Sequence, residues 1–392
     1  MSESIEFHVF GGKQGESIAV RLPGNLWGVV DNYTPTLSDP QSNPTLRFLQ
    51  SHKVEHLAFL CLTHPHEDHY RGMSYLLERF CPQRIWVFAA LTHRDLREMV
   101  ARVITHKADS SNIPVEDRET ADELVRILDL IRDRRVGKTE APHPDIRRLQ
   151  LDQHLHEFDG NPPVTITAIG ASGRQQMLYE KSLRSCFDAG DSFLADRVPS
   201  VNHNLISGGL LVEYGSARII LGGDIEKEGW QETMGALAPR RRLASILVKA
   251  SHHGSTNGYC EGLWQHLSPG KTAIAVMTPY VRQGLPSPEG LSHVSSHAKT
   301  TFVTSRSAVA LATDWVHKAP DTELSGVSAD ILLELRSLFP KAHRSSERLE
   351  GRCSFLVACD GSITHEEDGE AGSIGAMSPG TGTHQDAYPP GE

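Results

Sequence analysis

Leu57-Ala58-Phe59-Leu60-Cys61-Leu62 runs directly into Thr63-His64-Pro65-His66-Glu67-Asp68-His69. The apolar half is continuous, as expected of a short strand buried on both faces. The polar half gathers the imidazoles of His64, His66 and His69 and the carboxylate of Asp68 within six residues. These groups hold zinc, manganese or iron, and an i, i+2 histidine pair at a strand end can chelate one ion. Asp68 and His69 fall on the other side of the turn, within reach of a second ion. An isolated His-x-His is ordinarily a surface loop. Completed by Asp-His straight after a buried strand, it reads as a metal site.

Working outward, the same design recurs twice. Arg218 to Leu221 is a strand that ends in Gly222-Gly223-Asp224, and Ile246 to Lys249 is one that ends in Ser251-His252-His253-Gly254-Ser255. Asp224 alone would pass for a helix cap, and a lone histidine for a packing residue. Three strand ends carrying ligand types are hard to attribute to packing. A further strand, Trp27 to Val30, ends in Asp31. Other strands are expected at 5–10, 17–22, 85–88, 164–169, 210–214, 272–277, 308–312 and 354–358. A helix is expected after the first cluster, with Met73, Leu76, Leu77 and Phe80 on one face. Between about residues 91 and 156 the pattern turns helical, with Leu124, Ile127, Leu128 and Ile131 spaced among charges. We expect a helical insertion there. The Gly-, Pro-, Ser- and acid-rich stretch 366–392 is expected to be a disordered acidic tail behind one domain, 1–365.

Composition sets the outer limits. Of 392 residues, 39% are hydrophobic, with 33 glycines. That is ordinary for a globular chain and excludes collagen-like, largely disordered or disulfide-stapled classes. No run approaches the ~18 apolar residues of a membrane span, so none is expected. Met1 to Phe10 lacks the basic and apolar segments of a signal peptide. The six cysteines form no CxxC pair. Reduced thiols and a cytoplasmic location are expected. The net charge of −10 is concentrated toward the end, where 366–392 carries six acids and no Lys or Arg. Nucleic-acid binding is neither demanded nor forbidden by this total, because it depends on local basic patches. Arg132/Arg134/Arg135, Arg147-Arg148 and Arg240-Arg241-Arg242 could contact phosphates or form solvated faces.

The order Asp31, His64-x-His66-x-Asp68-His69, Asp224, His252-His253-Gly254 resembles the metallo-β-lactamase superfamily. Gly222-Gly223-Asp224-Ile225-Glu226 with Val248-Lys249-Ala250-Ser251-His252-His253-Gly254-Ser255 is similar to the soluble ComEC-type (competence DNA-channel) domain. Asn204-x-x-Ser207 and Pro286-Ser287-Pro288-Glu289 add to that likeness. The resemblance spans roughly 5–90 and 160–315. It implies an α+β fold, the αβ/βα sandwich, with two divalent metal ions at one edge, zinc by default and manganese as the alternative. On this basis His64 and His66 would hold one ion and Asp68, His69 and His252 the other, with Asp224 between them. Asp31 would orient a ligand histidine, and His253 would serve as general acid or merely pack. Which of His252 and His253 is the ligand stays open. A further ligand common in the superfamily would fall on His203 or Asn204, and an expected histidine is replaced by Leu285, with His293 and His297 nearby. Lys249 could contact a phosphate or face away. The implied reaction is phosphodiester hydrolysis, with DNA as substrate, by a metal-bridged hydroxide. The alternatives are a small-molecule hydrolase (lactone, thioester, β-lactam or cyclic nucleotide) and a non-catalytic partner-binding subunit. The insertion would be a lid, a homo-dimer contact or a protein-docking element.

Overall fold

The computed structural model describes residues 4–89, 100, 115–138, 142–185, 201–312 and 350–374. Sixteen strands are found among them. In chain order these are β1 (Ile5–Gly11), β2 (Glu16–Leu22), β3 (Leu26–Val30), β4 (Phe59–Leu62), β5 (Arg84–Phe88), β6 (Asp145–Leu149), β7 (Gln153–Phe158) and β8 (Val164–Ala168). They continue with β9 (Leu210–Tyr214), β10 (Ala217–Leu221), β11 (Leu247–Lys249), β12 (Ile274–Met277), β13 (Thr300–Val303), β14 (Gly351–Val357), β15 (Ile363–Gly369) and β16 (Gly372–Ile374). They form two eight-stranded mixed sheets, ordered β15-β14-β1-β2-β3-β4-β5-β6 and β16-β13-β12-β11-β10-β9-β8-β7. In the first, β3 to β6 run parallel; in the second, β10 to β13 do.

Three apolar layers follow from the side-chain pattern. Phe7, Val9, Phe59, Trp86, Ile219, Leu247 and Phe355 fill the space between the sheets. Leu60, Leu62, Leu76, Phe80 and Leu124 pack helices on the outer face of the first sheet. Ile220, Val248, Trp230, Trp264 and Leu291 do the same on the second. The short parallel strands β4 and β11 are buried throughout, as strands covered on both faces must be. The chain is thus an α+β sandwich of two sheets with helices outside, the architecture expected.

Three expectations need correction. The segment 91–156 is helical only in part. A helix at Val115–Arg135 docks Leu124, Ile127 and Leu128 into the core, whereas Asp145–Leu149 and Gln153–Phe158 are the outermost strands of the two sheets. Edge strands carry more polar residues than central ones, which is why this sequence looked foreign to a sheet. Residues 91–99, 101–114 and 139–141 lie outside the described residues. Second, the tail 366–392 is not wholly disordered. Glu366 to Gly369 complete β15 against β14, and β16 pairs with β13; residues 375–392 lie outside the described residues. Third, Ala308–Ala312 belongs to a helix, Arg306–Ala312. Ser305 Oγ accepts from the Ala308 N–H and caps it, and a short apolar run cannot by itself distinguish strand from helix.

Candidate metal centre

The ligand-type residues sit where parallel strands end at their carboxyl edges, the usual place for a site in such sheets. Asp31 follows β3, the His64–His69 turn follows β4, Asp224 follows β10, and His252-His253 follow β11. Local sequence fixes the turns. Gly223 has φ +51°, and a Cβ there would stand 2.4 Å from the Gly208 carbonyl oxygen. Glycine is therefore required to aim Asp224 inward. The glycine makes room for neighbouring backbone. Ser207 Oγ accepts from the Asp224 N–H at 2.9 Å.

Two groups of side chains converge. His64, His66 and Asp224 could hold one ion, and His69, His253, Asp224 and Glu16 offer ligand atoms for another. Asp224 belongs to both, with Oδ2 3.6 Å from His64 Nε2 and Oδ1 3.4 Å from His69 Nε2. Asp68 Oδ2 lies 3.5 Å from His69 Nε2 and 2.9 Å from His253 Nε2. His69 Nε2 and Asp224 Oδ1 are buried without a hydrogen-bond partner. Orphaned polar atoms of that kind are costly unless something binds them. Together with an all-imidazole and carboxylate donor set, they fit a divalent metal.

Behind the cluster, hydrogen bonds fix which nitrogen each ring presents. Asp31 accepts from the Thr63 amide at 2.8 Å, the Thr63 hydroxyl at 2.7 Å and His69 Nδ1 at 2.7 Å. His69 therefore turns Nε2 to the cluster. Because the Thr63 hydroxyl donates to Asp31, its oxygen accepts from His64 Nδ1 at 3.0 Å. His64 Nε2 then faces His66 and Asp224. This is the outer-sphere support that ligand histidines usually have. Asp31 holds φ +55°, a conformation Asp tolerates better than most residues.

Electrostatics divides the rings. Burial pulls the His64 pKa well below its ordinary value, aided by His69, and burial lowers His66. Burial also opposes charge on His69, but Asp224, Asp68 and Asp31 overcome it and raise His69 well above the ordinary range. His253 is raised despite burial by Asp224 and Asp68. Burial favours a protonated Asp68 carboxyl, yet His69 and His253 hold it down to about 2.

The structure brings together His64, His66, Asp68, His69, Asp224 and His253, with Asp31 behind them. His252 borders the cluster but belongs to neither ligand group: its Nδ1 lies 3.8 Å from Glu226 and its Nε2 3.4 Å from the Asn204 amide nitrogen. Of the two adjacent histidines, the second is the one that enters the cluster. His203 lies edge-on to His66 with 5.3 Å between centroids, and its Nδ1 contacts the Tyr179 hydroxyl at 2.8 Å. His293 stacks on Tyr259, and His297 packs by the same ring, so neither reaches the cluster. Lys249 faces away from any substrate. It is wholly buried and ion-paired to Glu16. Sequence reasoning missed Glu16, which begins β2 in the other sheet and has no motif around it.

The arginine clusters are mostly engaged within the chain. Arg134 donates to the Pro82 and Pro142 carbonyls, Arg132 pairs with Asp129 and Asp133, Arg147 with Asp145, and Arg240 and Arg241 with Asp152. No described helix is long and apolar enough to cross a membrane. No family model matches the chain, and no curated protein matches it. Among solved structures, it is similar to a metallo-β-lactamase of Cronobacter sakazakii (Enterobacter sakazakii), the HARLDQ motif mutant S60. The likeness has 11% identity and a TM-score of 0.31, covering 60% of this chain and 70% of that one.

Proposed function

We propose that the chain is a metal-dependent hydrolase of the metallo-β-lactamase superfamily, ComEC-type, that cleaves phosphodiester bonds in DNA. One observation carries the hydrolase reading. Three strand ends deliver four imidazoles and two carboxylates to a single cluster in which His69 Nε2 and Asp224 Oδ1 are buried without a hydrogen-bond partner. His64, His66 and Asp224 would hold one ion; Asp68, His69, His253 and Asp224 would hold the second. Bound there, divalent ions would activate water near neutral pH and neutralise charge developing on a phosphoryl oxygen. The chain's own residues supply the rest. Asp31 and Thr63 keep the His69 and His64 rings in the orientation that presents Nε2. Tyr280, whose ring lies 5.4 Å from that of His253, walls the cluster on one side. Zinc or manganese suits a donor set of imidazole and carboxylate without thiolate. The described cysteines are all free, which supports a reducing, cytoplasmic location.

The pairing of Arg132, Arg147, Arg240 and Arg241 with acids favours a second reading, hydrolysis of a small molecule by the same centre, because paired guanidinium groups add little to phosphate attraction. The deciding experiment is cleavage of single- and double-stranded DNA by purified protein with Mn²⁺ or Zn²⁺, beside Asp68→Ala. Cutting that requires metal and is abolished by the substitution supports the nuclease reading. Metal binding with neither DNA form cut would move the small-molecule reading ahead.

A further inference from the structure

Glu16 and Lys249 are a charged pair with almost no exposure, placed behind the cluster from opposite sheets. A fully buried lysine is rare and needs a reason. Thr278, just after β12, joins them. Its hydroxyl donates to Glu16 Oε2 at 2.8 Å, and its oxygen lies 2.9 Å from His253 Nδ1. A carboxylate only accepts, so the Thr278 proton is committed to Glu16. The Thr278 oxygen is then left to accept from His253 Nδ1–H, beside the Thr278 carbonyl at 3.0 Å. The ring is thereby fixed with Nε2 toward Asp68 and Asp224.

Glu16 could instead be a direct ligand, since its carboxylate lies within reach of His69, Asp224 and His253. The geometry argues otherwise. Its approaches to histidine, 3.9 Å to His69 and 3.7 Å to His253, are both to Nδ1, on the far side of each ring from the cluster. Its Oε2 is already held by Lys249 and Thr278.

We propose that Glu16, neutralised by Lys249, is a positioning residue that fixes the His253 ring through the Thr278 hydroxyl. The relay parallels Asp31, Thr63 and His64 on the other side of the centre. Lys249 gives the buried carboxylate a partner of opposite charge, and the pair ties β2 to β11 directly behind the metal position.

This rests on the metal-centre reading, so the test separates the two. The ring-proton signal of His253 Nδ1–H in the metal-free protein, followed by ¹⁵N-edited NMR, needs no metal. Thr278→Val, which keeps shape and removes the hydroxyl, is expected to shift that signal, and Thr278→Ser to restore it. In zinc titrations Thr278→Val should weaken one of the two sites about tenfold, the scale of such outer-sphere losses. Thr278→Ser should fall within twofold of the parent. The double variant Glu16→Gln, Lys249→Met removes both charges together. It should match Thr278→Val in its loss and add nothing when combined with it. An unmoved His253 signal in Thr278→Val would overturn the relay. So would a double variant that loses one ion outright while Thr278→Val binds both like the parent, the result expected of a direct ligand. A parent chain that binds no zinc would defeat the metal-centre reading while the NMR still decided the relay.

Discussion

Replacing Asp31 with Asn tests how the centre is held. Asn tolerates the φ of +55° at this position, so the backbone is expected to stay as it is. The carbonyl oxygen of the new amide must take the Thr63 N–H, because that donor cannot turn. The amide nitrogen then faces the Thr63 hydroxyl and His69 Nδ1, where the carboxylate accepted from both. Two donors cannot share a proton position. His69 therefore moves its proton from Nδ1 to Nε2, the atom that faces Asp224 and Asp68. The Thr63 hydroxyl turns to donate to His64 Nδ1, which drives the His64 proton to Nε2 as well. One atom exchanged at Asp31 thus puts two rings into the wrong tautomer for binding a cation. Loss of outer-sphere support costs about 10–100-fold in metal affinity, or about 1.4–2.8 kcal/mol. With two rings affected, the upper half of that range is expected. Competition for zinc against a chromophoric chelator gives the affinity, and near-ultraviolet circular dichroism confirms that the fold persists. A folded Asp31→Asn protein that binds zinc within threefold of the parent would refute the reasoning.

Other outcomes follow from particular residues. Asp224 and Asp68 raise the pKa of His69 and His253 against the effect of burial, whereas burial lowers His64 and His66. A raised pKa favours the proton that metal binding must displace from Nε2. Calorimetry at pH 7 in buffers of different ionisation enthalpy should show net proton release on filling, with affinity rising as pH rises; an enthalpy independent of buffer would contradict this. Gly223→Ala puts a side chain at φ +51° against the Gly208 carbonyl. The backbone conformation alone should cost about 1–2 kcal/mol, so a lower Tm and weaker metal binding are expected, and an unchanged Tm would show that Gly223 is dispensable. Ending the chain after His365 removes β16 and most of β15, including the ladder from Gly351 to Ser354. A clear fall in Tm is expected, and a parental melting curve would mean that the strands contribute nothing.

The sequence was legible where chemistry and burial coincide in one short stretch. Leu57 to His69 announced both a buried strand and its ligands, and Asp224 and His253 repeat that pattern. Short-range signals failed where the deciding contact is long-range. Nothing near Glu16 distinguishes it from any polar residue opening a strand, because Lys249 and Thr278 reach it from the other sheet. The choice between His252 and His253 depends on the backbone path, both residues having positive φ, and residue type cannot reveal it. The strand Ile363–Gly369 is almost wholly exposed on one edge and carries five consecutive polar or charged residues from Thr364. It is held by its backbone ladder to β14, so hydrophobic pattern gave no sign of it. The charges also discourage edge-to-edge association.

Two groups of side chains share Asp224, and metal content measures what they hold most directly. The purified chain should be loaded with zinc or manganese, dialysed, and analysed by inductively coupled plasma mass spectrometry beside Asp224→Ala. The two groups that share Asp224 predict two ions per chain, with both weakened by the substitution. A parent chain that retains no metal above background, or an Asp224→Ala chain that retains as much as the parent, would contradict it.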